Sequence, residues 1–241
     1  MLLPPLRSRQ IIVAGGAGGI GQAIVESLLT EEAEVIVSYR VNSAGAEPFR
    51  GRATVVQADI TTHDDRARLL NAAPALYGLV VLAGDPVRLP AGAPAEAALR
   101  QSHENNYLGP LLLAREAAER MRNAKQSGAI VVFSTMQAVA PFANSSAYAG
   151  AKAALMHAAK ILALEMRAEP QIRVNVISPG IIDAGMAKAS IASGKYDRYL
   201  NDHTIPRFGR PEDLARAVRL FLEPDNYITG QVLSVDGGIT I

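Results

Sequence analysis

Residues 11–21 read Ile11-Ile12-Val13-Ala14-Gly15-Gly16-Ala17-Gly18-Gly19-Ile20-Gly21, and this stretch decides the fold. An apolar run leads directly into a glycine-rich turn, and residues 22–29 behind the turn have helical character. In a strand, turn and helix unit, glycines allow a tight turn, close backbone approach to a pyrophosphate and close helix packing. The N-terminus of the following helix then faces the phosphates. The pattern predicts a dinucleotide site that includes Gly15, Gly19, Ile20 and Gly21.

This unit is the first of several strands that alternate with helices along the chain. The predicted strands are residues 10–14, 34–38, 53–58, 79–82, 129–133, 173–177 and 231–235, and the predicted helices are residues 22–29, 64–73, 96–106, 110–126, 147–168 and 211–222. Such alternation predicts an α/β doubly wound Rossmann fold, with about seven parallel strands and helices on both faces. We expect a single domain over residues 1–241, a loop at residues 85–94, and a small lid at about residues 182–205.

Composition limits the classes of partner. The 241 residues include 24 lysines and arginines against 23 acids, so no basic excess favours nucleic acid or an anionic membrane. There is no cysteine, and the four histidines lack zinc-type spacing, so we predict no metal site. No apolar run approaches the length of a membrane span. We therefore expect a soluble, cytoplasmic protein whose partners are small molecules or its own copies.

The end of the second predicted strand bears on the choice of dinucleotide. An enzyme that uses NAD places an acid about there, on the adenosine ribose. Here the position is Tyr39, and Arg40 follows it. A guanidinium suits the charge of a 2′-phosphate, so the sequence favours NADP(H) over NAD(H). The alternative is a solvated arginine at a strand end.

Two side chains on the fifth predicted helix suggest acid–base chemistry. Tyr148 and Lys152 are four residues apart, which places them on one helix face with their Cβ atoms about 5 to 6 Å apart. A fixed ammonium beside a phenol stabilises the phenolate, so the hydroxyl can exchange a proton closer to neutral pH. Alternatively, the two residues merely share a helix face. Ser134 and Thr135 end the strand at residues 129–133, where a crevice in such a sheet would lie.

Together these motifs resemble the short-chain dehydrogenase/reductase family from about Gln10 to the C-terminus. Gly15, Gly19 and Gly21 match the glycine positions of its first signature, with Ala14 in place of threonine. The family's Tyr-x-x-x-Lys pair, its helix-borne asparagine and its nicotinamide-side loop match Tyr148 with Lys152, Asn106, and Pro179-Gly180. Residues 207–213 and 228–231 are similar to its C-terminal pattern.

The resemblance implies a role for each matched residue. Tyr148 would be the general acid or base, Lys152 would lower its pKa and hold the nicotinamide ribose, and Asn106 would help to anchor a proton-relay water. Thr135 stands at the position of the family's catalytic serine, and Ser134 beside it is interpreted as structural. Further cofactor contacts would come from Asp59, Ile60, Ala83, Gly84, Pro179, Gly180 and Ile182. Asp59 could instead be a turn or cap acid. The resemblance also implies a homotetramer.

Two departures from the family pattern concern cofactor binding. The usual Asn-Asn-Ala-Gly stretch is Val81-Leu82-Ala83-Gly84 here, and Ala184 replaces a threonine that commonly follows Pro-Gly. We predict NADPH-dependent reduction of a ketone, either a 3-oxoacyl thioester or a small carbonyl compound, to a secondary alcohol. In appearance the chain is nearest to the 3-oxoacyl-(acyl-carrier-protein) reductases. One alternative is an NAD(P)-dependent secondary-alcohol, sugar or steroid dehydrogenase. Another is a dinucleotide-binding sensor or scaffold with little turnover.

Overall fold

A seven-stranded parallel sheet forms the centre of the protein. The structure is a computed structural model that describes residues 5–86 and 94–241. Its strands are β1 (Gln10–Ala14), β2 (Glu34–Tyr39), β3 (Thr54–Gln57), β4 (Leu76–Val81), β5 (Gly128–Phe133), β6 (Ile172–Pro179) and β7 (Val232–Val235). Their order in the sheet is β3-β2-β1-β4-β5-β6-β7, and every neighbouring pair is parallel. This confirms the predicted doubly wound Rossmann fold.

Helices connect the strands. They are α1 (Gly19–Thr30), α2 (Ser43–Ala46), α3 (His63–Asn71), α4 (Ala95–His103), α5 (Gly109–Asn123), α6 (Ser146–Glu165), α7 (Lys188–Ala192), α8 (Asp197–Asn201) and α9 (Pro211–Leu222). Short 3-10 helices cover Glu47–Phe49, Met136–Ala138 and Gly185–Ala187, and a π-helix covers Glu104–Leu108. Among the described residues, no helix combines the length and apolarity needed to cross a bilayer.

Each face of the sheet has its own hydrophobic core, and successive side chains along a strand alternate between the two. Ile11 and Val13 of β1 belong to the cluster that contains Leu28 of α1 and Val218 of α9. Ile12, between them, belongs to the opposite cluster, which receives residues of α3, α5 and α6. Successive side chains of a strand point to opposite faces, so the central strands are apolar throughout and need helices on both sides.

Several predicted bounds differ from the observed ones. The first helix begins at Gly19 rather than residue 22, because the glycines that close the turn already adopt helical geometry. The helix predicted at residues 96–106 becomes α4 and then the π-helix, which carries Asn106. Of the predicted loop at residues 85–94, only residues 85, 86 and 94 are among the described ones. The prediction for α9 matches the structure at both ends.

The strand order determines where a ligand can bind. From β1 the chain moves outward through β2 and β3, and then returns to place β4 on the other side of β1. In open α/β sheets a crevice forms at such a reversal, outside the carboxyl ends of the strands.

Candidate active site

A cleft of about 400 Å³ lies at the carboxyl ends of the strands. Every predicted site residue except Asn106 lines it, and these are Gly15, Gly19, Ile20, Gly21, Tyr39, Arg40, Asp59, Ile60, Ala83, Gly84, Thr135, Tyr148, Lys152, Pro179, Gly180 and Ile182. They come from the segments after six different strands. The fold therefore gathers into one cavity residues that are widely separated in sequence.

The glycine turn has the geometry of a backbone cradle. Gly15 has a φ of +87°, and a Cβ atom there would lie 3.0 Å from the Ala83 nitrogen, so both conformation and space demand glycine. A Cβ atom on Gly21 would lie 2.5 Å from the Gly15 oxygen, so α1 packs directly against the turn. The Gly15 N–H donates to Ser38 Oγ at 3.3 Å. The N-terminus of α1 thus faces the cleft, as a phosphate site requires.

Backbone hydrogen bonds join the end of β4 to the end of β1, and no asparagine side chain takes part in them. The N–H groups of Leu82 and Ala83 both donate to the Ala14 oxygen, at 2.9 and 3.1 Å. The amides that the family pattern has at Val81 and Leu82 are therefore not needed to hold these two strand ends together. This leaves the backbone of Ala83 and Gly84 exposed along the cleft.

Beyond the glycine turn the cleft is lined by charged and polar groups. Arg40 Nη2 lies 3.8 Å from Asp85 Oδ2, in an ion pair that the sequence did not suggest. Asp59 Oδ1 accepts hydrogen bonds from the backbone and the hydroxyl of Thr61, at 3.0 and 2.7 Å. Asp59 therefore closes a turn, as the alternative interpretation expected, while it also borders the cleft.

Lys152 is the buried cation of the site. Lys152 is only 2% exposed, and its Nζ donates a hydrogen bond to the Phe133 carbonyl oxygen at 2.9 Å. Burial lowers the pKa of Lys152 to about 8. Ser134 Oγ donates to the Lys152 carbonyl oxygen at 3.1 Å, a contact that fits the structural role expected for Ser134.

Thr135 and Tyr148 line the same cleft as this lysine. Thr135 is the second residue after β5, and its Oγ1 accepts a hydrogen bond from the Gln137 N–H at 3.4 Å. A hydroxyl that accepts one bond can still donate its own hydrogen to a substrate oxygen. Tyr148 lies on α6, one turn before Lys152, and both side chains line the same cavity. The three groups can therefore act on one bound molecule.

Asn106 lies on a helix, as the family resemblance implied, and its side chain is engaged inside the fold. It is fully buried within the π-helix rather than lining the cleft. Its Nδ2 donates to the Asp85 oxygen at 2.8 Å and to Ser102 Oγ at 3.1 Å, and its Oδ1 accepts the Asp85 N–H at 2.8 Å. Ser102 Oγ in turn donates to the Ala147 oxygen of α6. The amide of Asn106 links the segment after β4, through Ser102, to α6, and its role toward a relay water stays a prediction.

The sequence did not identify several residues that line the cleft. They include Ser38, Asn42, Leu82, Met136, Gln137, Asn144, Ser145, Met186 and Tyr196. Asn42 Nδ2 donates to the Ala17 oxygen at 2.9 Å and so supports the glycine turn. Met186 and Tyr196 belong to the predicted lid segment, and their large apolar side chains were the available signal. Together with Met136 they give one part of the cavity an apolar wall.

The residues present fit a nicotinamide dinucleotide. The turn at Gly15 leaves room only for backbone, α1 presents its N-terminus, and the buried Lys152 lies beside the exposed backbone of Gly84. The site combines a backbone turn that suits phosphates with the Thr135 hydroxyl, the Tyr148 phenol and the Lys152 ammonium. This combination defines a dinucleotide-dependent oxidoreductase that acts on CH–OH groups.

Comparison with known proteins agrees with this class. A family model described as Enoyl-(Acyl carrier protein) reductase matches residues 15–240. The 3beta-hydroxysteroid dehydrogenase 1 of Eggerthella lenta is 30% identical over 250 residues, covering 98% of this chain and 95% of the relative. The cis-4-hydroxycyclohexanecarboxylate dehydrogenase of Sinomonas cyclohexanicum is 32% identical over 244 residues, covering 96% of both chains.

A solved structure extends the agreement to three dimensions. The 7 alpha-hydroxysteroid dehydrogenase complexed with NADH and 7-oxo glycochenodeoxycholic acid superposes with a TM-score of 0.87 at 28% identity. The match covers 97% of this chain and 94% of that one. The chain belongs to the short-chain dehydrogenase/reductase family. Members of this family bind a nicotinamide dinucleotide and act on small-molecule carbonyl or alcohol substrates.

Proposed function

We propose that this protein interconverts a ring-borne secondary alcohol and its ketone, with NADP(H) favoured over NAD(H). The observation that carries the proposal is the convergence of Thr135, Tyr148 and Lys152 in the cleft that contains the glycine turn. When bound, the dinucleotide supplies or accepts the hydride. The side chains of the protein then hold the substrate oxygen and move its proton.

Tyr148 is the proposed proton donor in ketone reduction and the proton acceptor in alcohol oxidation. Lys152 follows one helical turn later, and its ammonium favours the phenolate form of Tyr148. With a pKa of about 8, Lys152 is still mostly charged near neutral pH. Thr135 Oγ1 donates to the substrate oxygen and polarises the carbonyl. The hydroxyl groups of Thr135 and Tyr148 thus both contact the substrate oxygen, and the ammonium of Lys152 supplies a fixed positive charge beside them.

The relatives and the cavity wall support the proposed substrate class. The names of the relatives described above place the reacting group on a steroid or a cyclohexane ring. Met136, Met186 and Tyr196 supply apolar surface against which such a ring can pack. None of those relatives is a 3-oxoacyl reductase, so the alternative prediction of a secondary-alcohol or steroid dehydrogenase has the better support.

The cofactor preference rests on Arg40. No acid follows β2, and the guanidinium of Arg40 lines the cleft with nearly half of its side chain exposed. A 2′-phosphate would gain a charge-assisted contact there that a 2′-hydroxyl cannot make. This supports the preference for NADP(H).

Three further properties are proposed: a lid, a homotetramer and a compartment. Residues 182–205 act as a lid, because Met186 and Tyr196 of that segment border the cavity. The protein forms a homotetramer, because the apolar side chains of Ile161 and Leu164 on α6 are exposed in one chain. A monomer mass in light scattering would contradict this assembly. The proposed compartment is the cytoplasm.

The test is a turnover assay in both directions with the native protein and Tyr148→Phe. The panel contains 4-oxocyclohexanecarboxylate, 3-oxo and 7-oxo steroids, acetoacetyl thioesters, and the corresponding alcohols, each with both dinucleotides. We expect turnover of ring substrates, and a loss of about 10²- to 10⁴-fold in the phenylalanine variant with dinucleotide binding retained. Tyr227→Phe is the matched control, because that ring is fully exposed beside the amino ends of β4 and β5.

Each part of the proposal has its own contrary result. Turnover of acetoacetyl thioesters alone would replace the ring-alcohol class with an acyl substrate. Full activity of Tyr148→Phe would remove Tyr148 from the mechanism. Binding of both dinucleotides without turnover of any substrate in the panel would contradict the proposed reaction.

A further inference from the structure

Asp85 and Arg40 face each other across the end of β1. Arg40 follows β2 and Asp85 follows β4, and these two strands flank β1 on opposite sides. Neighbouring strands lie about 4.8 Å apart, so only a long side chain can close the gap between β2 and β4. Arg40 does so, with its Nη2 atom 3.8 Å from Asp85 Oδ2. The pair therefore joins the segments that follow β2 and β4, and Arg40 is the member that lines the cleft.

The backbone of Asp85 is held in place independently of this ion pair. Its N–H donates to Asn106 Oδ1 and its carbonyl oxygen accepts from Asn106 Nδ2, both at 2.8 Å. Asn106 is completely buried, so this two-point attachment is shielded from water. The Asp85 side chain consequently starts from a fixed backbone position, and its carboxylate lies beside Arg40, which lines the cleft.

The ion pair is weak enough to be broken by a ligand. The side chains of Arg40 and Asp85 are 46% and 30% exposed, and pairs with that much contact with water contribute little. A phosphate monoester carries about 1.5 to 2 negative charges near neutral pH. It would compete with Asp85 for Arg40 and would be repelled by the carboxylate. A ribose with a free 2′-hydroxyl meets no such repulsion, and an acid is the usual acceptor for that hydroxyl.

We propose that Asp85 is a specificity-determining residue that limits the preference of this protein for NADP(H) over NAD(H). An arginine that lines the cleft and favours NADP(H) is paired here with an acid of the kind that favours NAD(H), and the two lie in the segments after two different strands. Asp85 acts through Arg40, which it partly neutralises. The inference rests on the proposed function, because it requires that the cleft binds a nicotinamide dinucleotide.

The test measures binding rather than turnover. Isothermal titration calorimetry gives the Kd of NADP⁺ and of NAD⁺ for the native protein, Asp85→Asn, Arg40→Gln and the double variant. Asp85→Asn keeps the size of the side chain and the backbone bonds to Asn106. We expect it to raise the ratio of the NAD⁺ Kd to the NADP⁺ Kd by about fivefold, and we expect a smaller rise when Arg40 is already glutamine, because only the direct repulsion by the carboxylate is then removed. Asp225→Asn is the control for net charge, because Asp225 is exposed near the amino ends of β4 and β5, whereas the cleft lies at the carboxyl ends of the strands.

The outcomes separate this inference from the proposed function. An unchanged ratio in Asp85→Asn, or an equal rise in the Arg40→Gln background or in Asp225→Asn, would overturn the role of Asp85 while leaving the reaction intact. Failure of the native protein to bind either dinucleotide would overturn both. Circular dichroism and thermal unfolding of each variant establish that the compared proteins are folded.

Discussion

Lys152 Nζ lies 3.1 Å from the point that a Cβ atom on Gly84 would occupy. The same point lies 2.9 Å from Asn106 Oδ1, which is already engaged with the Asp85 backbone. Gly84 thus lies between the buried ammonium of Lys152 and the hydrogen bonds by which Asn106 holds the Asp85 backbone. Glycine is the residue that fits between them, because any side chain would have to displace one or the other.

The first prediction concerns this contact. Gly84→Ala should lower kcat by about 10- to 100-fold, because a misplaced ammonium no longer supports Tyr148. Gly150→Ala is the control: a Cβ atom there meets nothing within 4 Å, and alanine should stabilise α6 by about 0.5 to 1 kcal/mol. Steady-state kinetics and thermal unfolding measure both effects. Native kcat in Gly84→Ala would show that the site tolerates the extra methyl group.

The second prediction concerns the stability of the protein as a function of pH. The folded state lowers the Lys152 pKa from 10.5 to about 8, so between these values the unfolded chain binds more protons. The free energy of unfolding should therefore rise with pH in this window relative to Lys152→Met, by about 3 kcal/mol in total. Urea denaturation of both proteins without cofactor, at several pH values from 7.5 to 10.5, measures the difference. A constant difference would mean that Lys152 titrates normally.

The third prediction concerns the hydroxyl group of Thr135. Thr135→Val keeps the shape of the side chain and removes the donor, so kcat should fall by about 10²-fold. Thr135→Ser keeps the donor and removes the methyl group, so it should retain turnover. Kinetics with one ring ketone distinguish the two variants. If valine were as active as threonine, the substrate oxygen would have to be polarised by Tyr148 alone.

The fourth prediction concerns the apolar wall of the cavity. Tyr196→Ala should raise KM for a steroid or cyclohexane substrate by about tenfold, because the substrate loses a ring to pack against. The Kd of the dinucleotide should stay unchanged. Tyr227→Ala removes a ring of the same kind at the opposite edge of the sheet and should change neither constant. A loss of dinucleotide affinity in Tyr196→Ala would assign that residue to the cofactor instead.

The sequence predicted the fold because the relevant signals are local. The apolar strands are buried on both faces and need no partner to be recognised, and the glycine turn with its helix fixes the first crossover. The predicted site residues that line the cleft were found for the same reason, since they follow predicted strands in predictable places.

What the sequence missed depends on contacts between distant segments. The pairing of Arg40 with Asp85 requires the strand order, and the engagement of the Asn106 amide requires the π-helix to turn it inward. Neither has a signature in the spacing of residues. Met186 and Tyr196 were placed in a lid but not in the cavity, because the short helices of that segment lack a clear apolar period.

The strand order also has a consequence for how the chain folds. Val13 of β1 pairs with Val80 of β4, and β2 and β3 must be synthesised between these two strands before the pair can form. Contacts at such long sequence separation make folding slow, because the entropy of closing the intervening chain is lost before the contacts form. The cleft is lined by the segments that follow β1 to β6, so dinucleotide binding during refolding should report a late step rather than the early collapse. The appearance of dinucleotide binding would then mark the time at which these six strands have paired.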